Sequence, residues 1–97
     1  MTGTELVALE RQRQIEMGFT PEHDDTHTDG SLALCAWGIL GQVTFHQDAW
    51  DDDESWWTER ADHVAQKYDT DSLKPLIIAA ALLTAEIERR QRTMPAT

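Results

Sequence analysis

Cysteine occurs once in these 97 residues, as Cys35. A single thiol excludes an intrachain disulfide and any Cys-rich zinc site, and it suits a reducing cytosol. Cys35 lies in an apolar run and reads as a small buried hydrophobe. Basic residues are scarce in the middle of the chain: between Thr20 and Ser72 there are thirteen acids and only two bases, Arg60 and Lys67. A field of that sign repels nucleic acid, which disfavours direct DNA or RNA binding, and it attracts basic proteins or cations. Long apolar runs are missing as well. The longest, Leu76 to Leu83, is far below the roughly 20 residues needed to span a bilayer, and no positively charged, apolar leader opens the chain. The expectation is a cytosolic protein with no membrane association. There is no glycine-rich phosphate loop, no Ser/His/Asp order and no nucleophilic cysteine context. Gly38 and Gly41 bracket Ile39-Leu40 in an apolar segment and signal helix packing or termination, with Gly41 a plausible stop.

What remains is an acidic, moderately apolar chain. Hydrophobic residues make up 40% and include four tryptophans, the charged fraction is 27%, and the formal net charge is -10. That composition supports one small core, and a chain of this size has no material for a second. A single domain over residues 1–97 is expected.

The periodicity is helical throughout. A first helix runs from about Thr4 to Met17, with Leu6, Leu9, Arg13 and Met17 at helical spacing. Gly18 takes the left-handed position after it, and Phe19 folds back on the last turn. Thr20-Pro21-Glu22 resembles a cap with proline at the first helical position, but residues 20–29 are so polar that only a turn or two fits, and the segment reads as an ordered loop. Asp29 can accept from backbone amides at the start of a second helix, Ser31 to about Leu40. Leu32, Ala33, Leu34, Cys35, Ala36, Trp37, Ile39 and Leu40 are apolar around most of its circumference, the mark of a central buried helix. Residues 42–54 show little period, and Val43-Thr44-Phe45 is either a strand-like stub or a continuation of the helix.

Ser55 caps a third helix with Trp57, Ala61, Val64, Ala65 and Tyr68 on its inner face and Glu59, Asp62 and Gln66 towards solvent. The fourth, about Leu73 to Arg92, is capped by Ser72, tolerates Pro75 in its first turn, and shows Leu76, Ile77, Ala80, Leu83, Thr84 and Ile87 as its apolar face. Glu86 with Arg90 and Glu88 with Arg92 have the spacing of i,i+4 pairs. Together these elements predict an all-α fold, a small four-helix bundle-like domain with a central buried helix and an irregular acidic loop.

Two segments carry a resemblance. Glu10-Arg11-Gln12-Arg13-Gln14 with Gly18 to His27, and the Ala79 to Arg92 stretch ending Ala85-Glu86-Ile87-Glu88-Arg89, are similar to a group of small bacteriophage and prophage proteins with an ERQRQ, GWTPEHDDxHxxGELA and AEIERLDR pattern. The likeness covers about half the chain, which departs from the pattern with Phe19 for tryptophan and Ser31 for glutamate. It implies a phage or prophage origin and assigns no activity. The helix order also resembles a reduced version of the all-helical MazG-type nucleotide pyrophosphohydrolases, which implies glutamates holding magnesium around a triphosphate. Their paired-glutamate EExxE motif has no counterpart in Ser31 to Trp37, which contains no acid.

Three groups of residues are candidates for chemistry. His23, Asp24, Asp25, His27 and Asp29 could hold a divalent ion, with Glu86 or Glu88 as an additional ligand, or the acids of residues 22–29 could form a second acidic patch for a partner; the plain alternative is a polar loop whose side chains cap neighbouring helix ends. Trp50, Trp56 and Trp57 flank the acidic run Asp51-Asp52-Asp53-Glu54 and could anchor a protein contact; the alternative is core packing. Asp48, Asp51, Asp52, Asp53 and Glu54, with Glu59 and Asp62, are either a solvated face or a row of carboxylates that imitates DNA phosphates before a basic groove.

The expected function is therefore non-enzymatic. An acidic phage protein would bind a basic host protein or complex that handles nucleic acid, with anti-CRISPR or other anti-defence inhibition as its concrete form and no cofactor required. Two alternatives stand beside it. One is a reduced MazG-like pyrophosphohydrolase using His23, Asp24, Asp25 and Glu86 around magnesium or manganese, completed by dimerisation; the other is a phage structural or regulatory partner protein. The chain is expected to be a monomer or a homodimer.

Overall fold

The computed structural model describes residues 1–44, 56–69 and 71–94, and these form five helices: α1 (Gly3–Glu16), α2 (Pro21–Asp24), α3 (Ser31–Thr44), α4 (Trp56–Lys67) and α5 (Leu73–Thr93). There is no strand among the described residues. The fold is all-α. α3 packs against α4 on one side and α5 on the other, α1 packs against the far side of α5, and the single turn of α2 also touches α5.

Local chemistry fixes most of the ends. Thr2 and Glu5 form a reciprocal capping box at α1, in which the Glu5 amide donates to Thr2 Oγ1 at 3.2 Å and the Thr2 amide donates to Glu5 Oε1 at 3.0 Å. After α1 the chain reverses at Gly18, whose φ of 113° favours a residue without a Cβ. The Phe19 amide then donates to Gln14 O at 2.9 Å. Thr20 caps α2, Pro21 occupies its first turn, the Asp29 carboxylate accepts from the Ser31 amide at 3.0 Å, and Ser72 caps α5.

Leu32, Cys35, Ala36 and Ile39 of α3 meet Ala61 and Val64 of α4 and Ile78, Ala79, Leu82 and Ala85 of α5 in one core, with Leu40, Trp56, Trp57 and Tyr68 packed at its margin. Four of the ten central residues are alanine, which lets the helices approach closely. α3 is the central buried helix, although Trp37 points outward and is 53% exposed. Gly41 is no stop: α3 continues to Thr44. An interior glycine costs about 1 kcal/mol relative to alanine, and here the buried Ile39 and Val43 on either side of it offset that cost.

Three expected faces are corrected. α5 turns Pro75, Ile78, Ala79, Leu82 and Ala85 inward, while Leu76, Leu83 and Ile87 are 47%, 39% and 58% exposed. The helix is apolar on two sides, so its sequence admits either rotation, and the side bearing the small alanines fits against α3. α1 buries Glu10, Arg11 and Gln14 and leaves Leu9 and Met17 exposed, because long-range ion pairs set its rotation. On α4, Asp62 is half-buried and accepts from Gln42 Nε2 at 2.8 Å, where solvent was expected.

The α5 rotation predicts an order of stabilities. Leu82→Ala empties a buried site and should cost about 2–5 kcal/mol, whereas Leu83→Ala, one residue on, should cost less than about 1 kcal/mol. Urea unfolding of both variants ranks them, and equal losses would contradict this orientation.

Candidate functional site

The polar segment after α1 is built around a buried charge. Asp24 is fully buried and accepts from Arg11 Nη2 at 2.6 Å. Arg11 also donates through Nη1 to Phe19 O at 3.0 Å, and its Nε lies 3.6 Å from Glu88 on α5. One guanidinium thus joins α1, the α1–α2 turn, α2 and α5. Next to it, Arg92 of α5 donates to Asp25 Oδ1 from Nη2 at 2.6 Å and from Nε at 3.0 Å, and to Pro21 O at 3.2 Å.

Two further carboxylates are held in the same way. Glu10 is buried on α1 and accepts from Arg13 at 2.7 and 2.8 Å and from Lys74 Nζ of α5 at 3.1 Å. Burial raises the proton affinity of Glu10, but the hydrogen bonds and charges of Arg13 and Lys74 outweigh it, so its pKa falls below the ordinary carboxylate value. Glu86 accepts from Arg89 at 2.7 and 3.1 Å and from Arg90 at 3.1 Å. The Arg89 hydrogen bond chiefly holds its pKa down, against desolvation. The expected Glu86–Arg90 pair is present, while Arg92 leaves Glu88 for Asp25.

The histidines stand apart from this carboxylate network. His23 lies in α2, and the His27 amide donates to Asp24 O at 3.0 Å, which carries the turn on by one residue. His23 Nε2 and His27 Nε2 approach to 3.3 Å. The His23 ring sits edge-on to Phe19 at 5.8 Å between centroids, and the His27 ring leans on Trp56 of α4 at 4.8 Å. The Arg60 guanidinium covers Phe19 at 5.5 Å. Burial, and then the neighbouring His23, lower the pKa of His27 below the ordinary imidazole value.

The candidate residues thus separate by role. Asp24, Asp25 and Glu86 are engaged by arginines, and Asp29 caps α3. Among the described residues no three His, Cys, Asp or Glu side chains converge as a metal group. Asp24, Asp25 and Glu86 are already engaged by guanidinium groups, Asp29 accepts from the Ser31 amide, and His23 and His27 approach each other. Trp56 and Trp57 are partly buried at the core margin, Glu59 is exposed, and Asp48, Trp50, Asp51, Asp52, Asp53 and Glu54 lie outside the described residues. Cys35 is buried, and desolvation pushes its thiol up to about 12, far from the range of a catalytic thiolate.

Arg11, Lys74 and Arg92 carry the architecture of this region, and sequence reading assigned none of them that role. Their partners lie 13 to 77 residues away, and the one visible signal was the charged ERQRQ run on a helix that lacks a clear apolar stripe. On the other side of α1 a groove of about 1020 Å3 runs between α1 and α5, walled by Leu6, Val7, Leu73, Leu76, Ile77 and Ala80, with Arg11 and Glu88 also on its wall. No family model matches the chain, and no curated protein or solved structure matches it.

The lowered carboxylate pKa values set a pH dependence. Glu10 and Glu86 bind protons more weakly when folded than when unfolded, so their stabilisation is complete above their ordinary value of 4.5 and is lost as pH falls through the lower folded values. Thermal unfolding should show a melting temperature that declines gently below the ordinary imidazole value of 6.5, because His27 binds a proton less readily folded than unfolded, and drops further below about pH 4.5 as Glu10 and Glu86 are protonated. In the Glu10→Gln, Glu86→Gln double variant that acid slope should be shallower, and an unchanged slope would contradict the assignment.

Proposed function

We propose that this protein is a non-enzymatic acidic binding protein that engages a basic surface of a complex that handles nucleic acid. The observation that carries the reading is how the charges are distributed. Among the described residues six of the eight bases, Arg11, Arg13, Lys74, Arg89, Arg90 and Arg92, are in ion pairs, and the partners described are five acids: Glu10, Asp24, Asp25, Glu86 and Glu88. The other thirteen acids face two remaining bases, Arg60 and Lys67. Arg11, Lys74 and Arg92 pair between elements, and Arg13, Arg89 and Arg90 pair within their own helices, so most of the positive charge is matched locally and the remaining carboxylates carry the net negative field.

A one-signed carboxylate surface can compete with DNA phosphates for a basic groove, and the contact weakens with salt as ions screen it. The phage-like motifs make anti-CRISPR or another anti-defence inhibition the concrete form of this reading. Asp48, Asp51, Asp52, Asp53 and Glu54 are its principal contact residues, with Trp50 as anchor and Glu59 and Asp62 extending the surface. The buried, weakly acidic Cys35 thiol and the engagement of Asp24 and Glu86 by arginines favour binding over catalysis.

The test is capture of partners from a host lysate at low and high salt, with competition by duplex DNA. Nucleic-acid-binding proteins should be retained at low salt and released by DNA and by salt. The Asp51→Lys, Asp52→Lys, Asp53→Lys variant should lose them with its melting temperature unchanged. Retention of the same partners by that variant, or capture indifferent to salt and DNA, would refute the reading.

A further inference from the structure

We infer that His23 and His27 form a two-imidazole chelate for a borderline first-row divalent ion of the zinc, nickel or copper class, a site independent of the protein-binding reading above. The geometry carries it. Two nitrogens bound to zinc at about 2.0–2.1 Å and separated by the tetrahedral angle lie about 3.3–3.4 Å apart, and His23 Nε2 and His27 Nε2 are 3.3 Å apart. The two residues are four apart in sequence, His23 in α2 and His27 in the turn that follows its end at Asp24, so the turn and not a continuous helix face brings the rings together.

The arrangement is fixed before any ion arrives. Thr20 Oγ1 accepts from the His23 amide at 3.2 Å and Asp24 O accepts from the His27 amide at 3.0 Å, so both backbones are anchored. Phe19 packs edge-on to one ring and Trp56 leans on the other, which limits the rotamer entropy lost on binding. His23 is exposed and His27 half-buried, which leaves an approach from solvent, and the net charge of -10 concentrates cations near the surface.

The same environment sets selectivity. Asp24 and Asp25, the carboxylates beside the pair in sequence, are held by Arg11 and Arg92. Glu22 and Asp29 also lie near the pair in sequence, but among the described residues no third His, Cys, Asp or Glu converges with it, so the ion takes two nitrogens from the described residues and fills its remaining positions with water. Imidazole donors favour zinc, nickel and copper over magnesium and calcium, which take oxygen ligands.

The experiment is calorimetric titration of the full chain with zinc chloride and, separately, magnesium chloride. Zinc should bind one to one, and magnesium should give no heat at millimolar concentration. His23→Ala and His27→Ala should each weaken zinc by about tenfold or more, since even the loss of a residue that only supports a ligand costs 10–100-fold. His63→Ala, on the exposed face of α4, should leave the affinity unchanged. Circular dichroism of each variant verifies folding, and His23→Gln repeats the test with a polar side chain of similar reach. Zinc affinity unaltered in His23→Ala, His23→Gln and His27→Ala, or no zinc binding by the parent protein at millimolar concentration, would overturn the site and leave a hydrogen bond between two imidazoles as the reason for their approach.

Discussion

The buried contact between Arg11 and Asp24 is the interaction on which the arrangement of this domain depends. A carboxylate with no solvent exposure is tolerable only beside a counter-charge, and the guanidinium that supplies it sits on another helix. Once that pair is made, the rotation of α1 about its axis is set, Phe19 O is held by the same side chain, and Glu88 of α5 is brought to 3.6 Å. The contact is costly to form, because Asp24 Oδ1 and Arg11 Nε accept and donate no hydrogen bond among the described residues. A hydrophobic α1 could slide or rotate against α5; one that must present Arg11 to Asp24 and Glu10 to Lys74 cannot.

This constraint explains two features that a core-first view leaves unconnected. Leu9 and Met17 are exposed on α1 because polar residues take the inward positions, and an apolar groove persists between α1 and α5 because that interface closes through charge pairs and only partly through side-chain interdigitation. It also bears on the surface. Three of the six paired bases, Arg11, Lys74 and Arg92, join different elements, and the other three pair within their own helices, which leaves the unpaired charge predominantly negative.

How much of this could be read from the sequence depends on distance along the chain. Gly18, Asp29 and Ser72 act within a few residues of themselves and mark their helix boundaries as expected, whereas Thr20-Pro21 starts the single turn of α2 inside a segment whose polarity reads as an ordered loop. The core residues of α3 were also legible, since that helix is apolar on nearly every side. α5 was misoriented because Leu76, Leu83 and Ile87 make as good a stripe as Ile78, Leu82 and Ala85; only packing against α3 distinguishes them. α1 was misoriented because the decisive partners of Glu10 and Arg11 are Lys74 and Asp24, which no local pattern indicates. At the candidate site, the i,i+4 spacing of His23 and His27 was visible, but the engagement of Asp24, Asp25 and Glu86 by arginines was not, so carboxylates that resembled metal ligands proved to be partners in ion pairs.

The central claim is that the Arg11–Asp24 charge pair, and not the apolar residues of α1, fixes how α1 joins the domain. The most direct test is a double-mutant cycle of Arg11→Ala and Asp24→Ala, read by denaturant unfolding. The account predicts a favourable coupling of about 1.5–3 kcal/mol, in the range measured for directly contacting residues. Losses that simply add, with a coupling below about 0.5 kcal/mol, would contradict it.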